Sequence, residues 1–312
     1  MSPPRRNLKI LVTIIGVFLL TTSIVLLTGC LDTGRTDDLD LVVVSIAPQE
    51  EVVKRIAGEG IEVVVMVPQN MDPHTYSPTP SQLLKVAKAD IYFMVGSGVE
   101  FEIINMDTIK ETNPEMTIVD MSEGIDVVSF EDHGIEHEHE DGGDDDHTGT
   151  DPHIWLDPAN MVIMADTVLA ALISADPDRE AVYRDNSAPY YLDLEAMTVE
   201  IHQGLSPFEG RKFLSYHPAW GYFADAFNIT QLTVKEEGKE PGPQGVASLI
   251  DQARENNIKV VFVEPQFDTS VARQIAEAIE GRVVTVDPLA SDYIDNLREV
   301  AEKIADAFGE GE

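Results

Sequence analysis

The chain has 312 residues, of which 21 are basic and 56 acidic, giving a formal net charge of −35. A surface this acidic repels nucleic acid and anionic lipid and attracts cations weakly, although its main cause is solubility or a salty milieu. The single cysteine excludes an intramolecular disulfide and any cysteine zinc cluster.

Arg5, Arg6 and Lys9 precede an uncharged apolar run over residues 10–28 that ends in Leu27-Thr28-Gly29-Cys30. The ending resembles a lipoprotein-processing box, with Cys30 as the lipid-bearing N-terminus after cleavage. The alternative is an uncleaved helix that anchors the chain, since the run is near the length needed to span a bilayer. Both readings put the remainder on the outer face of the cytoplasmic membrane, periplasmic or extracellular, with residues 31–40 as a polar tether. The chain beyond the tether is long enough for two modest domains with their own cores.

From residue 41 strand-like and helix-like segments alternate. Strands are predicted at 41–47, 61–67, 91–95 and 117–119, and helices at 50–57, 80–89 and 101–110. The pattern returns with strands at 212–216, 231–234, 260–263 and 283–286 and helices at 219–227, 245–256, 270–279 and 293–308. Near-continuous apolar strands separated by helices indicate parallel sheets covered on both faces. The expected fold is therefore α/β, with two similar lobes at 41–157 and 210–312. Residues 158–209 join them through helices at 158–174 and 177–205. Pro177 behind Asp176 fits the first position after an N-cap. The second helix would be a stiff strut of roughly 40 Å, interrupted by Pro189.

Residues 130–150 differ in kind. They hold His133, His137, His139 and His147 among carboxylates and glycines, with no basic and almost no apolar residue. Such a segment cannot bury a core and is expected to be disordered, binding metal weakly through those four histidines, or to be an inert acidic loop.

Three other histidines stand beside prolines: His74 after Pro73, His153 after Pro152 and His217 before Pro218. Proline stiffens the backbone that presents each imidazole. In open α/β sheets functional groups gather beyond the carboxyl ends of strands. His74, His217 and Asp287 each come after a predicted strand, and His153 lies where the chain leaves the first lobe. The four are expected to converge in the cleft between lobes as a tetrahedral His₃Asp metal site, a donor set that suits zinc.

Several segments carry a family resemblance. They are His74 with Tyr76-Ser77-Pro78-Thr79-Pro80-Ser81, Asp151-Pro152-His153-Ile154-Trp155-Leu156-Asp157-Pro158, His217-Pro218-Ala219-Trp220-Gly221-Tyr222-Phe223, Glu264-Pro265-Gln266-Phe267 and Asp287-Pro288-Leu289. From about residue 40 onward the chain resembles the metal-binding solute-binding proteins of zinc/manganese ABC importers, the cluster A-I group. The resemblance implies two α/β lobes joined by a rigid helix, with metal held between them and passed to a membrane permease. It also implies Zn²⁺ as cargo, because zinc-type members carry histidine where many manganese binders have glutamate, and His217 stands there. Mn²⁺ is the alternative. The fourth position varies in the family among aspartate, glutamate and water, so Asp287 is the least constrained ligand. A monomer that binds no nucleic acid is expected.

Other readings are weaker. A zinc hydrolase with Glu264 as general base would need an open fourth position, and no His-Glu-x-x-His segment occurs. A receptor for an organic chelate would need a larger aromatic or basic cleft, and no residue supports an adhesin. Trp155 and Trp220 are expected to pack the cleft wall, and Asp157 to cap the helix starting at Pro158. Glu264 is either a partner that orients a ligand histidine or a loop carboxylate near the interface.

Overall fold

Strand β1 (Leu41–Ile46) reads Leu-Val-Val-Val-Ser-Ile, and all its residues are buried. β-Branched side chains that fill both faces make it an interior strand. It is flanked in parallel by β2 (Glu62–Val67) and β3 (Ile91–Met94), and β4 (Thr117–Asp120) pairs with β3, so the order is β2-β1-β3-β4. Helices α1 (Pro48–Ala57), α2 (Pro80–Val86) and α3 (Glu100–Thr112) form the crossovers. The computed structural model describes residues 39–133, 149–235 and 241–310. The leader with Cys30, the tether through Asp38, and His137, His139 and His147 lie outside them.

Two helices then cross between lobes, α4 (Pro158–Ala175) and α5 (Glu180–Leu205). Asp157 caps α4 by accepting the Ala159 N–H at 2.8 Å, with Pro158 at the first helical position. Asp176 does not cap in this way. Residues Pro177–Arg179 form a 3₁₀ turn ahead of α5, and the Asp176 carboxylate instead accepts the Tyr183 hydroxyl at 3.3 Å. Helix α5 runs through Pro189 without a break and buries Tyr183, Ser187, Tyr190, Leu194, Met197, Ile201 and Leu205. Their spacing of three and four residues makes one continuous stripe.

The second sheet repeats the first. Strands β5 (Lys212–Ser215), β6 (Thr230–Thr233), β7 (Val260–Val263) and β8 (Arg282–Thr285) are parallel in the order β6-β5-β7-β8. Helices α6 (Gly221–Ala226), α7 (Pro243–Glu255), α8 (Ser270–Ala278) and α9 (Tyr293–Glu310) complete the lobe. Helix α6 is shorter than the predicted 219–227, and α2 shorter than 80–89.

The lobes are not separate bodies. One apolar cluster runs from the first sheet through α4, α5 and α9 to Phe213, Val260 and Phe262 of the second sheet. The alternate residues of those strands, Leu214, Val261 and Val263, face a second cluster with α7 and α8. Helix α5 packs against α1, α4 and α9. Helix α9 reaches the first lobe directly, because the Ile294 N–H donates to Glu51 of α1 at 3.2 Å. Tyr293 donates its hydroxyl to the Trp155 carbonyl at 2.9 Å, and the Trp155 indole donates to the Pro288 carbonyl at 2.8 Å.

Phe130–His133, the opening of the acidic segment, departs from expectation. These residues form a 3₁₀ turn, and His133 is buried. The Phe130 N–H donates to the Gly149 carbonyl at 2.9 Å and the Asp151 N–H to the Val128 carbonyl at 2.9 Å, closing the base of the segment. Composition alone groups His133 with the weak surface ligands, but its imidazole is enclosed by carboxylates and a tyrosine ring.

Candidate metal site

The loop after β2 carries His74. Asp72 turns the backbone by accepting the His74 N–H at 2.9 Å, and Gln82 of α2 fastens the loop from below. Gln82 takes the hydroxyl of Tyr76 at 2.9 Å and the Thr79 N–H at 2.9 Å, and its amide donates to the Val65 and Met66 carbonyls at the end of β2. The Tyr-Ser-Pro-Thr-Pro stretch is thus a capping box, Thr79 with Gln82, that ties the histidine loop to the sheet. Glu100, in the first turn of α3, lies 2.7 Å from His74 Nδ1 and leaves Nε2 for the cavity.

His153 is set by the residue two before it. Asp151 is fully buried, and one of its oxygens accepts both the His153 N–H at 2.9 Å and Nδ1 at 2.6 Å. A carboxylate on one ring nitrogen fixes the tautomer and turns the other outward. Burial works against this carboxylate's charge, but the facing imidazoles outweigh it and hold the acid below the usual range. His217 comes after β5, the strand where sheet order reverses, as expected for a binding crevice. Its carbonyl is pinned by Ser215 at 2.9 Å and Gln231 at 3.1 Å. Burial, followed by the nearness of His153 and His74, pushes the His217 imidazole well below the ordinary histidine range. Its lone pair is therefore free at neutral pH.

The three rings line one small cavity with Glu100, Trp155, Gln266 and Phe267. The centroid of His217 is 5.5 Å from that of His74 and 5.3 Å from that of His153, with both pairs edge-on. Three imidazoles on a tetrahedral ion at the usual zinc–nitrogen distance would have centroids about 5.2 Å apart. Among the described residues, no three His, Cys, Asp or Glu groups grip a common point as they stand. Turning a ring about its Cβ–Cγ bond moves its nitrogens while leaving its centroid in place.

Asp287 is not in this ring of donors. The cavity wall includes its neighbours Pro288 and Leu289. The carboxylate itself accepts Gln266 at 2.9 Å, the Leu289 N–H at 3.0 Å and Gln69 at 3.2 Å. Glu264 lies behind His217 and is fully buried. The Trp220 indole reaches it only at 3.4 Å, and its second oxygen has no hydrogen-bond partner. It faces the backbone of His217 and makes no contact with a ligand ring that would orient it. Trp155 packs at the cavity wall as expected, whereas Trp220 sits deeper, edge-on to Phe223. Glu100 and Asp151 are the functional side chains that sequence reasoning missed. The Asp-Pro-His spacing was a usable signal for Asp151; for Glu100, 26 residues from its histidine, there was none.

Burial pushes the Glu264 carboxyl up to about 8. The folded chain then holds a proton that the unfolded chain has released, so stability falls as pH rises from the ordinary carboxylate range towards 8. Glu264→Gln is expected to remove that slope and stabilise the metal-free protein above neutral pH by roughly 1–3 kcal/mol. Denaturant unfolding at pH 5.5 and 8.5 checks this, and a difference from the parent that does not grow with pH would contradict it.

The model of the family described as the zinc-uptake complex component A, periplasmic, matches residues 42–307. The manganese-binding lipoprotein MntA of Halalkalibacterium halodurans is 29% identical over 289 residues, covering 86% of this chain and 89% of that protein. The high-affinity zinc uptake system protein ZnuA of Bacillus subtilis is 24% identical over 314 residues, covering 94% and 97%. Among solved structures, a crystal structure of ZnuA is 38% identical with a TM-score of 0.79, covering 87% of this chain and 100% of that one. A zinc-bound deletion mutant of ZnuA is 38% identical with a TM-score of 0.78, covering 86% and 98%. The chain belongs to the family of periplasmic A components of zinc-uptake complexes.

Proposed function

We propose that the protein is an extracytoplasmic binding protein that captures a divalent transition metal, zinc above all, and delivers it to an ABC-type permease. Its family is one of solute-binding components of importers, not of enzymes. The observation that carries the reading is that His74, His153 and His217 line one cavity, with the His217 ring 5.5 and 5.3 Å from the other two and kept proton-free by burial. Zinc is cargo here, held by three nitrogen donors. The fourth position falls to Asp287, once Gln69 or Gln266 releases it, or to a water molecule. A relative named as a manganese-binding lipoprotein supports the manganese reading, but nitrogen donors favour zinc.

The relative's designation as a lipoprotein supports a lipid on Cys30. The division into 41–157, 158–209 and 210–312 follows the two sheets. His137, His139 and His147 are weak auxiliary ligands that raise the local zinc concentration, and His133 is withdrawn from that set because it is buried.

His74→Ala, His153→Ala and His217→Ala are each expected to weaken zinc binding tenfold or more, measured by chelator competition. Binding of the parent should also weaken at acid pH, because ligation needs the imidazole lone pair that a proton would take. Parental affinity in any one variant would remove that residue from the site.

Zinc should displace manganese from the parent by orders of magnitude at equilibrium, and His217→Glu should narrow the gap. Elemental analysis after equilibration with both ions reads this directly, and a parent that prefers manganese would sink the zinc assignment.

Deleting residues 134–147 should leave one tight zinc equivalent unchanged and remove only weaker ones in a calorimetric titration. Ordering that polar stretch costs roughly 1–2 kcal/mol per residue, which few ligands can offset. Loss of the tight equivalent would mean that a primary ligand lies within the segment.

A further inference from the structure

The described start of the acidic segment ends in a histidine placed unlike a surface ligand. His133 Nδ1 is 2.6 Å from the Asp225 carboxylate of α6, and Nε2 is 3.3 Å from the Asp151 oxygen that His153 does not use. Its ring stands edge-on to Tyr222 at 4.8 Å. Tyr222 in turn accepts the Val128 N–H at 3.0 Å, at the base of the same segment. Gly221 completes the enclosure. A Cβ there would lie 2.6 Å from His133 Cδ2 and 2.9 Å from the Asp151 oxygen, so only glycine leaves room for the pair. Residues 221, 222 and 225 lie on one face of α6, and that face holds His133 against Asp151.

We propose that His133 is a positioning residue for the metal site, fixing the Asp151 carboxylate, and through it the ring of His153, to helix α6 of the second lobe. The proposal rests on the reading of His153 as a ligand. Asp151 is fully buried, its second oxygen makes no hydrogen bond, and the His133 ring nitrogen 3.3 Å away is the polar group that faces it. A buried carboxylate that nothing holds on its far side is free to rotate, and rotation releases its hold on His153. The contact at 3.3 Å makes no hydrogen bond, so the enclosure by Gly221 and Tyr222 is what holds the pair together. The line Asp225–His133–Asp151–His153 joins the two lobes beside the cavity. Helix α6 can therefore influence ligand geometry without contributing a ligand.

His133→Phe keeps ring bulk and removes both ring nitrogens, while His133→Gln restores an amide donor towards Asp151. The probes are zinc, by chelator competition, and cobalt(II), whose visible absorption reports the geometry of bound donors. His133→Phe should weaken zinc binding roughly 10- to 100-fold, the range usual for loss of a partner behind a metal ligand, and shift the cobalt bands; His133→Gln should recover most of both. Unchanged affinity and spectrum in a folded His133→Phe protein, with affinity lost in Asp151→Asn, would overturn the proposal and leave the site reading intact. Tighter binding in His133→Phe would overturn it too, since His133 would then act as a repelling charge. Unchanged affinity in both Asp151→Asn and His153→Ala would remove His153 from the site and the proposal with it. If thermal unfolding shows that His133→Phe does not fold, Gly221→Ala carries the same test. It leaves both partners present while pushing them apart, and should lower affinity in the same way.

Discussion

The cavity exists only because two sheets are held at one separation, and the packing of α5 against both lobes holds them there. Its buried stripe from Tyr183 to Leu205 meets α1 on one side and α9 on the other. The two ion pairs of Arg55 with Asp193 and Arg298 with Glu200 lie along the same contact. Both are largely exposed, and exposed pairs contribute little, so apolar burial sets the spacing and the ion pairs only decorate its edge. His74 belongs to one lobe and His217 to the other. Their 5.5 Å separation is therefore a property of the whole interface and not of either loop.

Around the cavity the donors share a common plan. A carboxylate occupies Nδ1 of His74 and another occupies Nδ1 of His153, while His217 has its backbone pinned from several sides and its ring desolvated. A carboxylate on one nitrogen fixes which nitrogen of the ring is left for an ion. Unpartnered buried oxygens on Glu264, Asp151 and Gln231 are a cost of this plan, and at Glu264 burial offsets it by pushing the carboxyl up to about 8.

Much of this was legible in the sequence, for identifiable reasons. The apolar β-branched runs gave both sheets because interior parallel strands need that composition. The proline-flanked histidines were legible because stiff local backbone is a local property. Glu100 and Asp225 were not, since each acts on a histidine 26 or 92 residues away and only the fold supplies the contact. His133 was misread for a related reason. Composition averages over a segment, and a single residue with two carboxylate partners outside it escapes the average. Asp176 shows the same limit at short range: the Asp-Pro signal was present, but Tyr183 took the side chain.

The contact of α9 with the first lobe bears on how the chain reaches this state. Glu51 and Ile294 are 243 residues apart, and the stripe of α5 is covered only once α9 has arrived. The first lobe therefore cannot complete its surface as the chain emerges, and the lobes do not form as successive finished units. Pairings this distant in sequence make for slow collapse to the final form, with apolar surface open in the interval. The interface that makes the mature cavity rigid is the same one that keeps a partly synthesised chain incompletely folded.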